Sequence, residues 1–221
     1  VITLDGKEYE MLDINFPTID PKHPYALSKD EEEIMSRLES AFLNCEKLQD
    51  HMRFLLNKGG LYKVYNGNLL YHGCVPLKED GTLKSVRLYG RSYKGKSLYE
   101  VLESYVRKGF YALNKKEKER GKDMMWYIWL SENSPLFGKD KMATFERYFL
   151  AEKETHKEKN NPYYNLLENE KVINMILKEF GLTEESAHII NGHVPVKAIT
   201  GESPIKCNGK VLVIDGGFSR A

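Results

Sequence analysis

Two histidines stand out for the residues beside them. "NGNLLYHGC" (residues 66–74) reads as an apolar strand finishing in His72-Gly73, and "INGHVPVK" (190–197) follows a second apolar run with Gly192-His193. Neutral imidazole is a good ligand for zinc, manganese or iron. A strand end supplies it with rigid backbone and leaves its tip in a cleft. A glycine neighbour has no Cβ, so backbone or a second ion can come close. The alternative for each ring is a hydrogen-bonded structural role. A spacing of about 120 residues does not by itself decide between the two.

The remaining histidines carry less. His188 lies within the strand "AHII" and reads as structural, and His51 falls inside a helix. His23 sits between two prolines. His156, in "KETHKEK", reads as solvated, with the alternative that Thr155 and Lys157 help it face a phosphate. Cys74 beside His72 suggests a thiol nucleophile, but buried apolar filler is the better reading. There is no GxxxxGK[ST], no GxGxxG with a following acid, and no HExxH. "VIDGGFS" is not a GxSxG elbow. Nucleotide-loop, zincin and serine-hydrolase sites are therefore not indicated.

The elements that must position the two histidines can be read along the chain. "VITLDGKEYEML" holds two short alternating runs around Asp5-Gly6, a hairpin turn. "FPTIDPKHPY", with three prolines, is not helix. Ser28 starts a helix, and Glu31 is placed for a capping box. Ile34, Leu38, Phe42, Cys45, Leu48, Met52 and Leu55 recur at spacings of three and four, predicting a single helix of about seven turns that ends at Gly59-Gly60. "LYKVYNGNLLYHG" follows as a hairpin on Asn66-Gly67, whose second run is apolar on both faces, as suits a strand inside a sandwich. Helices are predicted over 97–110, 119–131, 141–152 and 167–180, the last stopped by Gly181. "SAHIINGHV" and "KVLVIDGG" then return to strand. The pattern is one α/β domain, residues 1–221, with a helical insertion at about 95–182.

The totals set outer limits. The chain has 221 residues, with 33 basic and 32 acidic side chains. That balance gives no electrostatic case for nucleic acid or an anionic membrane surface. No apolar run approaches the roughly 18 residues of a membrane helix, and nothing resembles a signal peptide. Three scattered cysteines, Cys45, Cys74 and Cys207, make neither a disulfide framework nor a CxxC site and fit a reducing, cytoplasmic setting. The opening without Met and the stop soon after an apolar strand give the expectation of a piece of something longer.

"YNGNLLYHGCVPL", "NSPLFGKDKMATFERYF", "KETHKEKNNPYY" and "HIINGHVPVK…GESPIK…VLVIDGGFS" together resemble the class III fructose-1,6-bisphosphatases of Firmicutes and related bacteria. The resemblance covers essentially the whole chain. That family is a branch of the calcineurin-like metallophosphoesterases. It implies part of a four-layer α/β/β/α sandwich, two divalent ions (usually manganese) in the cleft, and a sugar bisphosphate substrate. It implies that His72, of an "HG" pair, and His193, of a "GH" pair, bind the same ion. Where many calcineurin-like enzymes have GHxH, this chain has "GHVP", with Pro195 in place of the second histidine. The family's Asp-x-His-Gly, Gly-Asp-x-x-Asp-Arg-Gly and Gly-Asn-His-Asp/Glu motifs do not occur here. The resemblance thus implies a C-terminal portion whose catalytic residues lie elsewhere, inactive by itself.

In the intact enzyme the chemistry implied is metal-assisted hydrolysis of the 1-phosphate of fructose 1,6-bisphosphate, with cations neutralising developing charge. Arg147, between Phe145 and Phe149, reads either as a phosphate grip or as a structural salt bridge, and Lys197, four residues after His193, likewise. Lys139 and Lys141 read as solvated. The competing reading is that the helical block, rich in Tyr and Trp, is an oligomerisation or regulatory-binding module without metal. An apolar sheet face around residues 61–73 and 210–215 is expected to be covered, by a homo-oligomer or another partner.

Overall fold

A computed structural model describes residues 1–215, so the end of "VIDGGFS", residues 216–219, lies outside the described residues. The chain divides into two compact units: Val1–Gly59 with Ala143–Lys157, and Gly60–Met142 with Glu158 onward.

In the first unit, β1 (Ile2–Leu4) and β2 (Lys7–Tyr9) form the expected antiparallel hairpin around Asp5-Gly6. α1 (Lys29–Leu43) begins at the capping box read from the sequence. The Ser28 hydroxyl accepts from Glu31 N at 3.3 Å, and the Glu31 carboxylate accepts from Ser28 N at 2.8 Å. The single long helix is not formed. Asn44 turns its side-chain amide back onto the Ser40 carbonyl at 2.9 Å, and Cys45 is extended, so α2 (Glu46–Lys58) starts afresh. An asparagine that bonds nearby backbone competes with helix continuation in this way. Ile34, Leu38 and Phe42 stay half or more exposed. The helix expected over 141–152 shrinks to α5 (Thr144–Phe149), because Leu150 leaves it to bridge Met11 and the Phe149 carbonyl accepts from Leu12 N at 2.8 Å.

The second unit holds the histidine-bearing strands. β3 (Tyr62–Tyr65) and β4 (Asn68–Tyr71) pair antiparallel. Asn66 and Gly67, at φ 47° and 71°, take the left-handed turn that an Asn-Gly hairpin requires. A second hairpin, β5 (Val86–Leu88) and β6 (Arg91–Tyr93), leads into α3 (Gly95–Tyr111) and α4 (Lys115–Leu130). α4 starts earlier than its apolar periodicity suggests, since the Asn114 side chain caps Glu117 N at 3.1 Å. α6 (Glu170–Glu179) is capped by Asn169 and buries Val172, Ile173, Ile176 and Leu177 on one stripe.

β7 (His188–Asn191), β8 (Ile205–Lys206) and β9 (Val211–Val213) complete a mixed five-stranded sheet in the order β3-β4-β7-β9-β8. β4, β7 and β9 run parallel at its centre. Register places Leu69, Ile189 and Val211 side by side, each fully buried, in one core with the α6 stripe and Tyr99. The other face carries a row of Leu70, Ile190, Leu212 and Ile205 across four strands. The first three are half-buried and Ile205 is 55% exposed. Parallel central strands built of continuous apolar residues fit an α/β protein. Among the described residues no helix is long and apolar enough to cross a membrane.

Candidate metal centre

Parallel pairing decides where the two histidines go. β4 and β7 are neighbours in register, with Leu70 opposite Ile190. His72 and His193 therefore both leave the carboxyl ends of adjacent strands, the edge at which open α/β sheets gather their ligands. The strand ends are tied to each other. Gly192 N donates to the His72 carbonyl at 2.9 Å, and the buried Asn191 amide donates to the Gly73 carbonyl at 3.0 Å. Asn191 Oδ1 is buried without a hydrogen-bond partner among the described residues.

The rings meet. His72 Nε2 lies 3.0 Å from His193 Nδ1, with the ring planes 72° apart. His193 Nε2 donates to the Phe137 carbonyl at 2.7 Å. In neutral His193 that bond leaves Nδ1 bare and turned toward His72. His193 has φ 71°, a left-handed conformation that costs a non-glycine residue about 1–3 kcal/mol and concentrates at functional positions. Burial pushes its pKa below the ordinary 6.5; nearby His72 and Lys139 push the same way, against the Phe137 carbonyl and Asp215.

The two glycines differ in role. A Cβ on Gly73 would stand 2.3 Å from the Pro135 carbonyl oxygen and 3.1 Å from that of Leu136, so a loop presses directly on the strand end. A Cβ on Gly192 would meet nothing closer than 3.5 Å. The close approach expected beside both histidines is real only at Gly73, and backbone occupies it.

The pair opens on a cleft of about 560 Å³ lined by His72, His193, Met125, Trp129, Phe137 and Met142 among others. The contact is a ring-to-ring hydrogen bond in which bare His193 Nδ1 accepts from His72 Nε2. Two ligands about 2.1 Å from one ion and at right angles are likewise about 3 Å apart, so the same separation also suits a shared divalent ion. A ring whose second nitrogen is held by a backbone carbonyl is the usual outer arrangement of a metal-binding histidine. No group of three His, Cys, Asp or Glu side chains able to hold an ion occurs among the described residues.

The other sequence candidates lie elsewhere. Lys197 is exposed, and its backbone N–H donates to Glu202 at 2.9 Å. Arg147 is in α5 of the first unit, where its guanidinium donates to the His156 carbonyl at 3.4 Å. His156 is not solvated: it is half-buried with Nε2 3.0 Å from the Leu150 carbonyl. Lys139 likewise is paired, with Glu158 at 2.8 Å. Cys74 is fully buried, its thiol pushed up to about 12 by burial, as filler should be. Sequence reasoning missed the loop Ser134–Gly138. The stretch lies within "NSPLFGKDKMATFERYF", and its signals there, Ser-Pro and a glycine three residues on, say turn and nothing of the histidines.

The sequence model of the Firmicute fructose-1,6-bisphosphatase family matches residues 1–221. A class 3 fructose-1,6-bisphosphatase of Alkaliphilus metalliredigens is 54% identical over 99% of this chain, which corresponds to 33% of that protein. Proteins of the same name from Clostridium novyi and Listeria innocua are also 54% identical, each over 100% of this chain and 33% and 34% of their own length. No solved structure matches the chain. The chain with this mixed α/β fold is thus matched by a family of phosphatases. The chain belongs to the Firmicute fructose-1,6-bisphosphatase family, and it spans about a third of the length of the relatives it matches.

Proposed function

We propose that this chain supplies a two-histidine half of the metal centre of a phosphatase that removes the 1-phosphate of fructose 1,6-bisphosphate, leaving fructose 6-phosphate for gluconeogenesis. The observation that carries the reading is the 3.0 Å approach of His72 Nε2 to His193 Nδ1. Family membership and the names of the relatives support the choice of substrate.

His72 through Nε2 and His193 through Nδ1 would hold one of two divalent ions, manganese by family resemblance. Bound ions supply Lewis-acid neutralisation of charge on the phosphoryl oxygens. The chain's own part is orientation. The Phe137 carbonyl holds the His193 ring, the tied strand ends fix its distance from His72, and apolar Met125, Trp129 and Met142 wall the cleft. Lys197 remains the candidate cation for a substrate phosphate, whereas the Arg147 bond to the His156 carbonyl favours a structural task. The five-stranded sheet would form half of a four-layer sandwich, its row from Leu70 to Ile205 covered by the other half or by a second copy. A cytoplasmic enzyme fits the three unlinked thiols.

Titration calorimetry with Mn2+ on this chain tests the reading. H72A and H193A should each weaken binding more than about 100-fold, beyond the 10–100-fold typical of outer-shell changes. Phosphate release from fructose 1,6-bisphosphate by the chain alone should stay at background. Binding indifferent to both substitutions would sink the assignment. The second reading, a helical association module, draws on the exposed Trp126 and Trp129, whose rings lie 5.2 Å apart on α4. Dimerisation in sedimentation runs without any Mn2+ uptake would favour it.

A further inference from the structure

We propose that Ser134 is a positioning residue for the histidine pair. It folds the loop Ser134–Gly138 so that the Phe137 carbonyl selects the His193 tautomer whose Nδ1 faces His72. The inference rests on the reading of the pair as one ligand set, but it concerns the protein's own hydrogen bonds.

Ser134 is fully buried, and its hydroxyl is used to capacity. Oγ donates to the Ile128 carbonyl at 2.5 Å and accepts from Leu136 N at 3.1 Å and Phe137 N at 3.4 Å. One donor and two lone pairs are all that a serine side chain has. The Ile128 carbonyl lies in the last turn of α4, where helix carbonyls lack intrahelical partners. Ser134 thus fastens the loop to the end of a long helix.

The backbone of Ser134 does the aiming. Its carbonyl accepts from Gly138 N at 3.2 Å. Because the trans peptide is planar, a Gly138 N–H turned inward sends the Phe137 C=O outward. Outward is where His193 Nε2 waits, 2.7 Å away. The same loop presents the Pro135 carbonyl to Cys74 N at 2.8 Å, two residues past His72. One serine-centred turn therefore bonds both to the His193 ring, at the nitrogen that does not face His72, and to the chain just past His72.

Removing the hydroxyl leaves the Leu136 and Phe137 N–H groups and the Ile128 carbonyl without their partner in a buried place. Once the turn relaxes, the Phe137 carbonyl no longer selects the Nε2–H form.

The test uses chain labelled with 15N at histidine, free of metal, at pH 8, where long-range 1H–15N spectra report which ring nitrogen is protonated. Wild-type His193 should be the Nε2–H tautomer. S134A and S134C, the latter of similar volume with a weak sulfur acceptor, should shift it toward a mixture, and S134T should preserve it. Mn2+ affinity should fall about 10–100-fold in S134A and S134C. An Nδ1–H tautomer in the wild type would overturn the proposal without recourse to any variant. So would S134A or S134C with wild-type tautomer and affinity. If the tautomer shifts but wild-type chain takes up no Mn2+, positioning by Ser134 stands and the metal assignment falls. If Mn2+ binding depends on His72 and His193 but not on Ser134, the reverse holds.

Discussion

Replacing Gly73 with alanine would put a methyl group 2.3 Å from the Pro135 carbonyl oxygen and 3.1 Å from that of Leu136. Both obstacles are backbone, so neither can swing aside as a long side chain would. Gly73 is not among the residues of positive φ, so the conflict is steric and not conformational. Reaching ordinary contact of 3.4 Å requires the loop to retreat by roughly 1 Å, which breaks the 2.8 Å bond from Cys74 N to Pro135 O. Cys74 is fully buried, so water cannot replace that partner. A buried N–H left unpaired costs about 1–3 kcal/mol, and weakening of the His193 bond to Phe137 adds about 1, giving about 2–4 kcal/mol in total. Urea unfolding followed by circular dichroism should show a midpoint lowered by about 1–2 M. G192A is the internal control: its methyl meets nothing closer than 3.5 Å and should change stability by no more than about 0.5 kcal/mol. Equal effects from the two substitutions would refute the claim that the loop is packed tightly against Gly73 and not against Gly192.

Two further outcomes follow from burial. In native chain at pH 8 a chromogenic disulfide should titrate Cys45 alone, since Cys74 and Cys207 are buried and burial raises both thiols; urea should release all three, and three fast thiols in the native state would contradict the packing. His193 is held below its ordinary pKa of 6.5, so on acidification the unfolded chain takes up a proton before the folded one does. Its contribution is full above pH 6.5 and is lost as pH falls from there through the lowered folded value. H193N, which tolerates the left-handed backbone, should flatten the decline of the urea midpoint across that window, and an unchanged slope would count against it.

Local signals carried much of this into the sequence. Asn66-Gly67 specified a hairpin, Ser28 with Glu31 a helix start, and the apolar runs leading to His72 and His193 marked two strands, which pair in the sheet. What was not legible came from competition or distance. Apolar periodicity runs unbroken through Asn44 and Cys45, so only the asparagine amide closing on Ser40 reveals two helices. The helix expected at 141–152 is cut short by a bridge to Met11, a partner far away in sequence. The loop that orders the histidines works through the carbonyls of Pro135 and Phe137. Every residue has a carbonyl, so side-chain chemistry could not point there.

The parallel pairing of β4 with β7 also sets a clock. His72 and His193 are 121 residues apart, and everything between them must be made before the second strand can join the first. At about 5–20 residues per second of synthesis, β4 waits roughly 6–24 s with an open edge. The helical stretch between them can form locally in that interval, whereas the strand pairing must bear the slow, entropically costly closure. The two histidines can then meet only after the whole stretch between them has been made. Sequence changes that slow the intervening helices would surface first as aggregation of unfinished chains, before any loss in the finished protein.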